Sequence, residues 1–252
     1  MIIVSFNVRR EFEDDGENRF EKRKDHIKAT IEKRRPDIMG FQEVLPEALA
    51  WFKKTLKDYT VVGTGRDEDL GDEATAIAFD RDKYDLVSMD TFWLSPEPFK
   101  PGSRYEDQSD CPRTCTMVLL NERETGKVFR VYNTHLDHIG PAARLHGAEQ
   151  IVKRISEEKL FPDAPLLVMG DFNAFPSDSE VRFFSEKAGL RDLTAEIEGT
   201  FHDFGNLETP EKIDYIFASK QWVSTAVGIW DDMDGERFVS DHFPVFVEMY
   251  HK

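Results

Sequence analysis

The sequence has only two cysteines, Cys111 and Cys115. In an extended segment their Cα atoms would be roughly 13 Å apart, which is too far for a disulfide. Two thiols are also too few for a structural zinc site. No basic leader and no long apolar run indicates a signal peptide or a membrane span. Together these absences favour a cytoplasmic protein with free thiols.

Positive charge is also scarce, because 33 Lys and Arg stand against 49 Asp and Glu, a formal net charge of −16. A field of this sign repels polyphosphates and is the opposite of the basic surface of a duplex-DNA binder. The one basic cluster, 21–35, has Ile27 and Ile31 on the same helical face as Phe20, so its charges are expected on an outer helix surface. Duplex DNA is therefore a less favoured partner than a small or single-stranded molecule.

The motifs of several enzyme classes are missing as well. There is no GxGxxG after a strand, no phosphate-cradling GxxxxGK[ST] and no Ser or Cys in a recognisable nucleophile setting. There is also no internal repeat and no low-complexity segment. With 40% hydrophobic residues, the chain can build a sizeable core, and we expect one catalytic domain over 1–252.

The sequence does contain many strand-like runs rich in Val, Ile, Phe, Tyr and Thr. They predict strands at 2–8, 37–44, 59–64, 75–80, 84–94, 114–120, 128–135, 165–169, 213–218, 224–230 and 243–250. Helices are predicted near 20–34, from Pro46, from Pro141 to about Glu157, and from near Ser179. The turn "NERETGK" predicts an antiparallel hairpin. Many strands and few helices indicate a layered α/β or α+β domain with mixed sheets.

Polar side chains stand at the ends of many of these runs. In "LLVMGDFN", Asp171 and Asn173 follow a buried strand, and by themselves they would be explained as residues that hydrogen-bond their own turn. The same types recur at other strand ends: Asn7, Gln42, Glu43, Asn133, His135, Asp137, His138, Asp214, Asp241 and His242. Oxygen ligands suit Mg²⁺ or Mn²⁺ better than zinc, and histidine beside a carboxylate is a base that titrates near neutral pH. The set contains the parts for metal-assisted hydrolysis of a phosphate ester.

The ordered motifs "SFNV", "GFQEV", "NTHLDH", "GDFNAFPSD", "KIDYIF" and "SDHFPV" span nearly the whole chain. Each is weak alone, but in this order the chain resembles the endonuclease/exonuclease/phosphatase superfamily, whose members are similar to pancreatic deoxyribonuclease. The resemblance implies a four-layer sandwich of two mixed, mostly antiparallel β-sheets packed face to face with helices outside. It also implies a site in the loops at one edge.

The resemblance implies a Mg²⁺ site, with Mn²⁺ as a possible substitute. Glu43 would be the principal ligand, with Asn7 and Asp241 beside it. Some members carry an acidic residue two positions after the first-strand Asn, and this chain has Arg9 there. That departure favours one metal ion.

The resemblance also implies the residues that act on water and phosphate. His242 would be the general base, oriented by Asp214. Asp171 and Asn173 would hold the water and a phosphate oxygen, and His135 would donate a hydrogen bond to the phosphoryl group. Members differ over whether the Asp of GDFN or the His of SDH activates the water, so Asp171 remains an alternative to His242.

Three further residues are candidates for contact with the substrate. Arg113 precedes a strand where family nucleases carry a phosphate-binding arginine, although a solvated strand-end arginine explains it equally well. His138 and Arg144 follow His135 closely, and their alternatives are a surface histidine and a polar helix face. The long segment 92–112 has aromatics that either wall a pocket or, for the first two, complete a strand.

The leading hypothesis is a Mg²⁺-dependent phosphoesterase acting on a small or single-stranded phosphorylated substrate. An endonuclease or exonuclease on DNA or RNA is the first alternative. A catalytically inactive binding module of the same fold is the second. The sequence does not choose between a monoester and a diester.

Overall fold

The computed structural model of the protein describes residues 1–235 and 237–252. The strands are β1 Ile2–Asn7, β2 Ile38–Val44, β3 Tyr59–Val62, β4 Ala74–Asp80, β5 Tyr84–Trp93, β6 Thr114–Glu122, β7 Val128–His135, β8 Leu166–Asp171, β9 Arg191–Asp192, β10 Asp214–Ala218, β11 Trp222–Ile229, β12 Met233–Asp234, β13 Arg237–Phe238 and β14 Val245–His251. The helices are α1 Phe20–Arg34, α2 Pro46–Thr55, α3 Pro141–Glu157 and α4 Ser179–Glu186, and short 3₁₀ turns lie at Glu13–Asn18 and Asp203–Gly205.

Two six-stranded sheets carry the fold. The first has the order β11-β14-β1-β2-β4-β3 and the second the order β5-β6-β7-β8-β10-β9. Each sheet contains one parallel pair, β1 with β2 and β7 with β8, and its other pairs are antiparallel. The hairpin predicted at "NERETGK" joins β6 to β7. The expected mixed, mostly antiparallel sheets are confirmed.

Three hydrophobic cores separate four layers. Ile3, Val118 and Val247 belong to the core between the two sheets. A second core joins the first sheet to α1 and α2, and a third joins the second sheet to α3 and α4. In α1 the predicted apolar face, Phe20 with Ile27 and Ile31, is buried in the second core. The predicted four-layer sandwich with outer helices is therefore confirmed.

Each parallel pair requires a crossover helix, because parallel strands cannot be joined by a tight turn. Helix α1 makes the crossover from β1 to β2, and α3 makes it from β7 to β8. The α1 crossover ends where Arg35 adopts a left-handed conformation (φ 50°) before Pro36, a common way to stop a helix. The carboxyl ends of both parallel pairs meet at one edge of the sandwich, and this edge carries the site.

A buried polar contact joins the sheets just behind that edge. Gln42 Nε2 donates to Asn133 Oδ1 at 2.6 Å. Asn133 Nδ2 donates across the sheets to the carbonyls of Phe41 and Ala76, both at 2.9 Å. A Cβ on Gly40 would meet Asn133 Oδ1 at 2.7 Å, so glycine is needed there. These polar strand-end residues therefore hold the sheets together and do not line the cavity.

Cys111 and Cys115 are free thiols, as expected. The two-residue strands and the 3₁₀ turns are too short to produce a periodic pattern, which explains why the sequence did not predict them. Within the described residues, no helix is long and apolar enough to cross a membrane.

Candidate active site

A cavity of about 520 Å³ opens at the edge where the parallel pairs end. Its walls combine acids, histidines and arginines with a few apolar groups. They are Arg9, Arg10, Glu43, Arg66, Glu73, Cys111, Arg113, His135, His138, Asp171, Asn173, Phe175, Phe201, Glu211, Ile213, Asp241 and His242. Asn7 and Asp214 lie directly behind this wall. The fold thus brings nearly all the sequence-predicted site residues to one place.

The first sheet contributes a cluster of oxygen atoms. Asn7 Nδ2 donates to Glu43 Oε1 at 2.9 Å, and the backbone N–H of Arg10 donates to Glu43 Oε2 at 3.0 Å. Burial alone would raise the pKa of Glu43, but these two donors, together with the charges of Arg9 and His242, hold the pKa below its ordinary value. Asp241, just before β14, is almost fully buried, and burial raises its pKa. Glu43 is therefore ionised, and it lies near a second carboxylate, Asp241.

The second sheet contributes a carboxylate pair, which holds the His242 imidazole from the loop before β14 of the first sheet. Asp171 and Asp214 stand opposite each other in the β8–β10 ladder. His242 Nδ1 lies 2.8 Å from Asp214 Oδ2, and His242 Nε2 lies 3.8 Å from Asp171 Oδ2. Asn7 Nδ2 also donates to Asp171 Oδ2 at 3.0 Å, which links the two halves of the site.

The protons of this pair are shifted by its surroundings. Burial first and then the neighbouring Asp214 raise the pKa of Asp171 to about 7. Burial alone would lower the pKa of His242, but Asp214 overcomes it and raises the pKa to about 10. Perturbed groups that face a cavity are typical of catalytic sites.

His135 and Asn173 complete this side of the cavity. His135 Nε2 lies 3.5 Å from Asp171 Oδ2, and burial together with Arg113 holds the pKa of His135 well below its usual value. Neutral imidazole is thus available as a hydrogen-bond donor. The Asn173 backbone N–H donates to Asp171 Oδ1 at 2.9 Å, and its Nδ2 donates to the Leu136 carbonyl at 3.1 Å.

Three non-glycine residues of the cavity have positive φ. They are Arg9 at 50°, Glu43 at 61° and Asn173 at 47°. Such conformations cost energy and cluster at functional sites, where surrounding contacts impose them. Gly170 has φ 149°, and a Cβ there would meet the Thr134 carbonyl at 1.9 Å. The glycine of GDFN therefore lets β8 approach β7 closely just before Asp171.

The donor types fit a hard divalent cation. Asn7, Glu43 and Asp241 offer oxygen atoms, and the Asn7 Oδ1 that would bind a metal accepts the Arg9 N–H at 2.9 Å here. Asp171, Asp214 and His242 also offer one ligand atom each within 4.8 Å of one another. In that second set His242 Nδ1 is already bound to Asp214. The oxygen set, which includes the anionic Glu43, is the better match to Mg²⁺.

The three residues proposed for substrate contact occupy different positions. Arg113 is buried in the cavity wall, where its Nη2 lies 2.8 Å from His138 Nδ1 and its Nε lies 3.5 Å from Asp137 Oδ1. His138 is half-exposed at the cavity. Arg144 is not brought into the cavity wall, because its guanidinium donates to Glu180 and to the Asp137 carbonyl.

Asp137 anchors this corner of the cavity. Its carboxylate accepts the Ser109 hydroxyl and the backbone N–H groups of Ser109, Ile139 and Gly140, the last at 2.7 Å. Although burial alone would raise it, these donors lower the pKa of Asp137 to about 2. Asp137 is thus a permanent anion that fixes the turn after β7 and faces Arg113.

Sequence reasoning missed several cavity residues, including Arg10, Arg66 and Glu73. Glu73 Oε1 accepts from Arg10 Nη1 at 2.9 Å, and Glu73 Oε2 accepts from Arg66 Nη1 at 2.6 Å. Glu73 immediately precedes β4, as Asp241 and His242 closely precede β14. The same strand-end criterion, applied to the start of β4, would have found it.

The structure places segment 92–112 and the loop "GTFHDF" (199–204). Phe92 and Trp93 are buried in β5, and of segment 92–112 only Cys111 lines the cavity. In "GTFHDF", the His202 N–H donates to the Asp241 carbonyl at 2.9 Å, and His202 stacks on Phe243 with ring centroids 4.0 Å apart. This loop supports the segment that carries Asp241 and His242.

The model of the endonuclease/exonuclease/phosphatase family matches residues 4–242 of this chain. The chain belongs to this family. A Bacteroides vulgatus family member is 30% identical, with a TM-score of 0.93 over 100% of this chain and 98% of that one. A mannosyl-6-phosphatase from Bacteroides thetaiotaomicron is 31% identical, with a TM-score of 0.92 over 99% of both chains. The catalytic domain of human Nocturnin, at 19% identity over 100% of this chain and 93% of that one and a TM-score of 0.81, shares the fold.

The family comprises endonucleases, exonucleases and phosphatases, all hydrolases of phosphate esters. The chain is therefore a hydrolase of this class, and the resemblance drawn from its motifs is confirmed. Family members are typically dependent on a divalent metal, and the acidic side chains at this edge suit one.

Proposed function

We propose that this chain is a Mg²⁺-dependent phosphoesterase that hydrolyses the phosphate ester of a small molecule by attack of water on phosphorus. One observation carries the proposal: the pKa of Glu43 on one side of the cavity is lowered, and the pKa of Asp171 on the other side is raised. Glu43 is kept anionic, whereas burial and Asp214 raise the pKa of Asp171 to about 7. Two acids with divergent environments in one site are typical of metal- and proton-assisted hydrolysis.

Glu43, with Asn7 and Asp241, would hold the metal ion. Bound there, Mg²⁺ would neutralise phosphate oxygens and stabilise the leaving alkoxide. Mn²⁺ has similar ligand preferences and is expected to substitute.

The attacking water would lie between His242 Nε2 and Asp171 Oδ2, which are 3.8 Å apart. The pKa of His242 is about 10 without metal, and the positive charge of a bound Mg²⁺ would lower it. His242, held by Asp214, would then accept the proton, with Asp171 as the alternative acceptor. His135 would donate to the phosphoryl oxygen on which negative charge builds, and Asn173 would hold another oxygen. Every role in the reaction thus has a side chain, which argues against an inactive binding module.

A small substrate is supported by the size and lining of the cavity. Its volume of about 520 Å³ lies within the range of small-molecule sites. Four arginines line it beside five carboxylates, in a chain whose net charge is −16, so guanidinium donors for a phosphate are present in a wall that is not positive overall. The mannosyl-6-phosphatase that is 31% identical acts, by its name, on a phosphorylated sugar, and a compound of that size fits this cavity.

A single-stranded nucleic acid is the second candidate. Phe175 is 46% exposed at the cavity, and Phe201 also lines the cavity. Exposed aromatic rings beside a phosphate site are suited to stacking on bases. The overall negative charge argues against a duplex.

A substrate panel tests the proposal. Sugar phosphates, inositol phosphates, RNA and DNA oligonucleotides and plasmid DNA would be incubated with the chain and Mg²⁺, with Glu43→Gln as the matched inactive control. Phosphate release from a small monoester that stops in chelator and returns with Mg²⁺ would support the proposal. Faster oligonucleotide cleavage would favour the nuclease, and no turnover on any member would overturn both.

A further inference from the structure

Arg9 stands at the rim of the proposed metal site, two residues after Asn7. We propose that Arg9 is the second cation of this active site. Its guanidinium restricts the site beside Asp241 to one divalent metal ion and contacts the substrate phosphate directly. This inference rests on the proposed function for the metal and the phosphate.

The guanidinium is oriented by two carboxylates. Arg9 Nε and Nη2 donate to the two oxygens of Asp15, both at 2.9 Å. Arg9 Nε also lies 3.7 Å from Asp241 Oδ2. Bidentate pairing of this kind fixes the plane of an arginine. Within the described part of the chain, no group accepts a hydrogen bond from Nη1, so this nitrogen is free for a ligand in the cavity.

The backbone of Arg9 is also fixed by hydrogen bonds. Its N–H donates to Asn7 Oδ1 at 2.9 Å in the left-handed conformation described above. Arg23, fully buried, donates to the carbonyls of Arg9 and Val8, each at 2.9 Å, and to the carbonyl of Val239. Arg23 therefore ties the Arg9 segment to the segment that carries Asp241.

Electrostatics explains the limit to one ion. A divalent cation bound by Glu43 and Asp241 would have the positive guanidinium close by, with Arg9 Nε 3.7 Å from Asp241 Oδ2. A second divalent cation on that oxygen would meet like charge at contact distance, where repulsion in a partly buried site is strong. The same guanidinium attracts a phosphate oxygen, since arginine pairs well with phosphate.

A simpler explanation is that Arg9 merely forms a surface ion pair. Arg19, on the same segment, is such a residue, because its Nε pairs with Glu11 and it does not line this cavity. Arg9 differs in lining the cavity and in reaching a proposed metal ligand. Arg19→Gln is therefore the matched control for Arg9→Gln.

Mn²⁺ titration followed by electron paramagnetic resonance counts the bound ions, and kinetics on the best panel substrate gives KM. We expect one Mn²⁺ per wild-type and Arg19→Gln chain. We expect a second, weaker Mn²⁺ in Arg9→Gln, with KM raised roughly 10- to 100-fold. Arg9→Lys keeps the charge and should bind one ion.

Two Mn²⁺ in the wild type, or one in a folded Arg9→Gln chain, would overturn the limit to one ion. An unchanged KM in Arg9→Gln would overturn the phosphate contact. A wild type that binds one Mn²⁺ but hydrolyses no ester would overturn the proposed function. The ion count would still support the limit to one ion set by Arg9. A wild type that binds no Mn²⁺ would overturn both proposals.

Discussion

The first sheet delivers Glu43 to the cavity at the end of β2, and the second sheet delivers Asp171 at the end of β8. Glu43 accepts N–H groups from Asn7 and Arg10, which lower its pKa despite burial. Asp171 faces another carboxylate, Asp214, and its pKa rises to about 7. The same type of strand end thus yields an anion suited to a cation on one side and a proton-exchanging acid on the other.

The difference arises from the strands beside each acid. Glu43 ends a parallel pair with β1, whose last residue, Asn7, supplies N–H donors. Asp171 also ends a parallel pair, but its other neighbour, β10, begins with Asp214 directly opposite. His242 comes from the loop before β14 in the first sheet and binds Asp214 in the second. Asn7 also donates to Asp171, so the contrast depends on the other neighbours: the Arg10 N–H beside Glu43 and the Asp214 carboxylate beside Asp171.

The largest expected effect is on the first-sheet side of the site, which holds Glu43. Glu43→Gln removes the anion that the Asn7 and Arg10 donors stabilise, so metal affinity should be lost and kcat/KM should fall by roughly 10³-fold. Calorimetric Mn²⁺ titration and steady-state kinetics check both. Glu47→Gln, on the exposed face of α2, is the control and should behave as wild type. Wild-type Mn²⁺ affinity in Glu43→Gln would contradict its role as principal ligand.

Substitutions on the other side of the site, at His242 and Asp214, should lower turnover without removing the metal. His242→Asn should lower kcat by roughly 10²-fold, because the proton acceptor is lost, while Mn²⁺ still binds. Asp214→Asn should give a smaller loss, since it orients His242 without touching the substrate. The two are measured by the same titration and kinetics. If either variant lost Mn²⁺ binding as completely as Glu43→Gln, the division of the site into two halves would be wrong.

The architecture could be predicted from local patterns because β-branched runs and helical stripes are short-range signals. The buried faces of α1 and the start of α2 at Pro46 were found in this way. The site residues could be predicted because several strands that are distant in sequence end in carboxylate, carboxamide or imidazole side chains. Within each sheet the carboxyl ends of the parallel strands lie at the same edge. Asp214 and His242 reach that edge because β10 and β14 begin there, antiparallel to β8 and β1.

Local patterns do not show which of the polar residues at strand ends line the cavity. Gln42 and Asn133 looked like site residues but bond the sheets to each other. Arg144 was, like Arg113, a candidate for substrate contact, yet Glu180 of α4 holds it away from the cavity. These outcomes depend on partners far apart in the chain, which periodicity does not reveal.

That contrast between two arginines gives the next prediction. Arg113→Gln should raise KM roughly 10- to 100-fold, because a buried guanidinium that faces the phosphate is lost. Arg144→Gln should leave KM within about twofold, because its contacts are with Glu180 and a carbonyl. Steady-state kinetics at saturating Mg²⁺ compares them. A larger change in KM for Arg144→Gln than for Arg113→Gln would reverse this assignment.

The smallest effect concerns the loop that supports Asp241. Burial lowers the pKa of His202 to about 4, and its ring lies between Phe238 and Phe243. An unfolded histidine titrates near 6.5, so between these values the unfolded chain binds more protons. Its contribution to stability is therefore complete above about pH 6.5 and is lost as the pH falls toward 4.

From pH 7 to pH 5 the free energy of unfolding should fall by roughly 2 kcal/mol through this residue. His202→Phe keeps the aromatic stacking and removes the titration, so it should lose about that much less stability over the same interval. Urea unfolding of both proteins at the two pH values measures the difference, and all other histidines cancel between them. Equal losses would mean that His202 binds a proton as easily in the folded chain as in the unfolded one, and that acid does not act through the loop beneath Asp241.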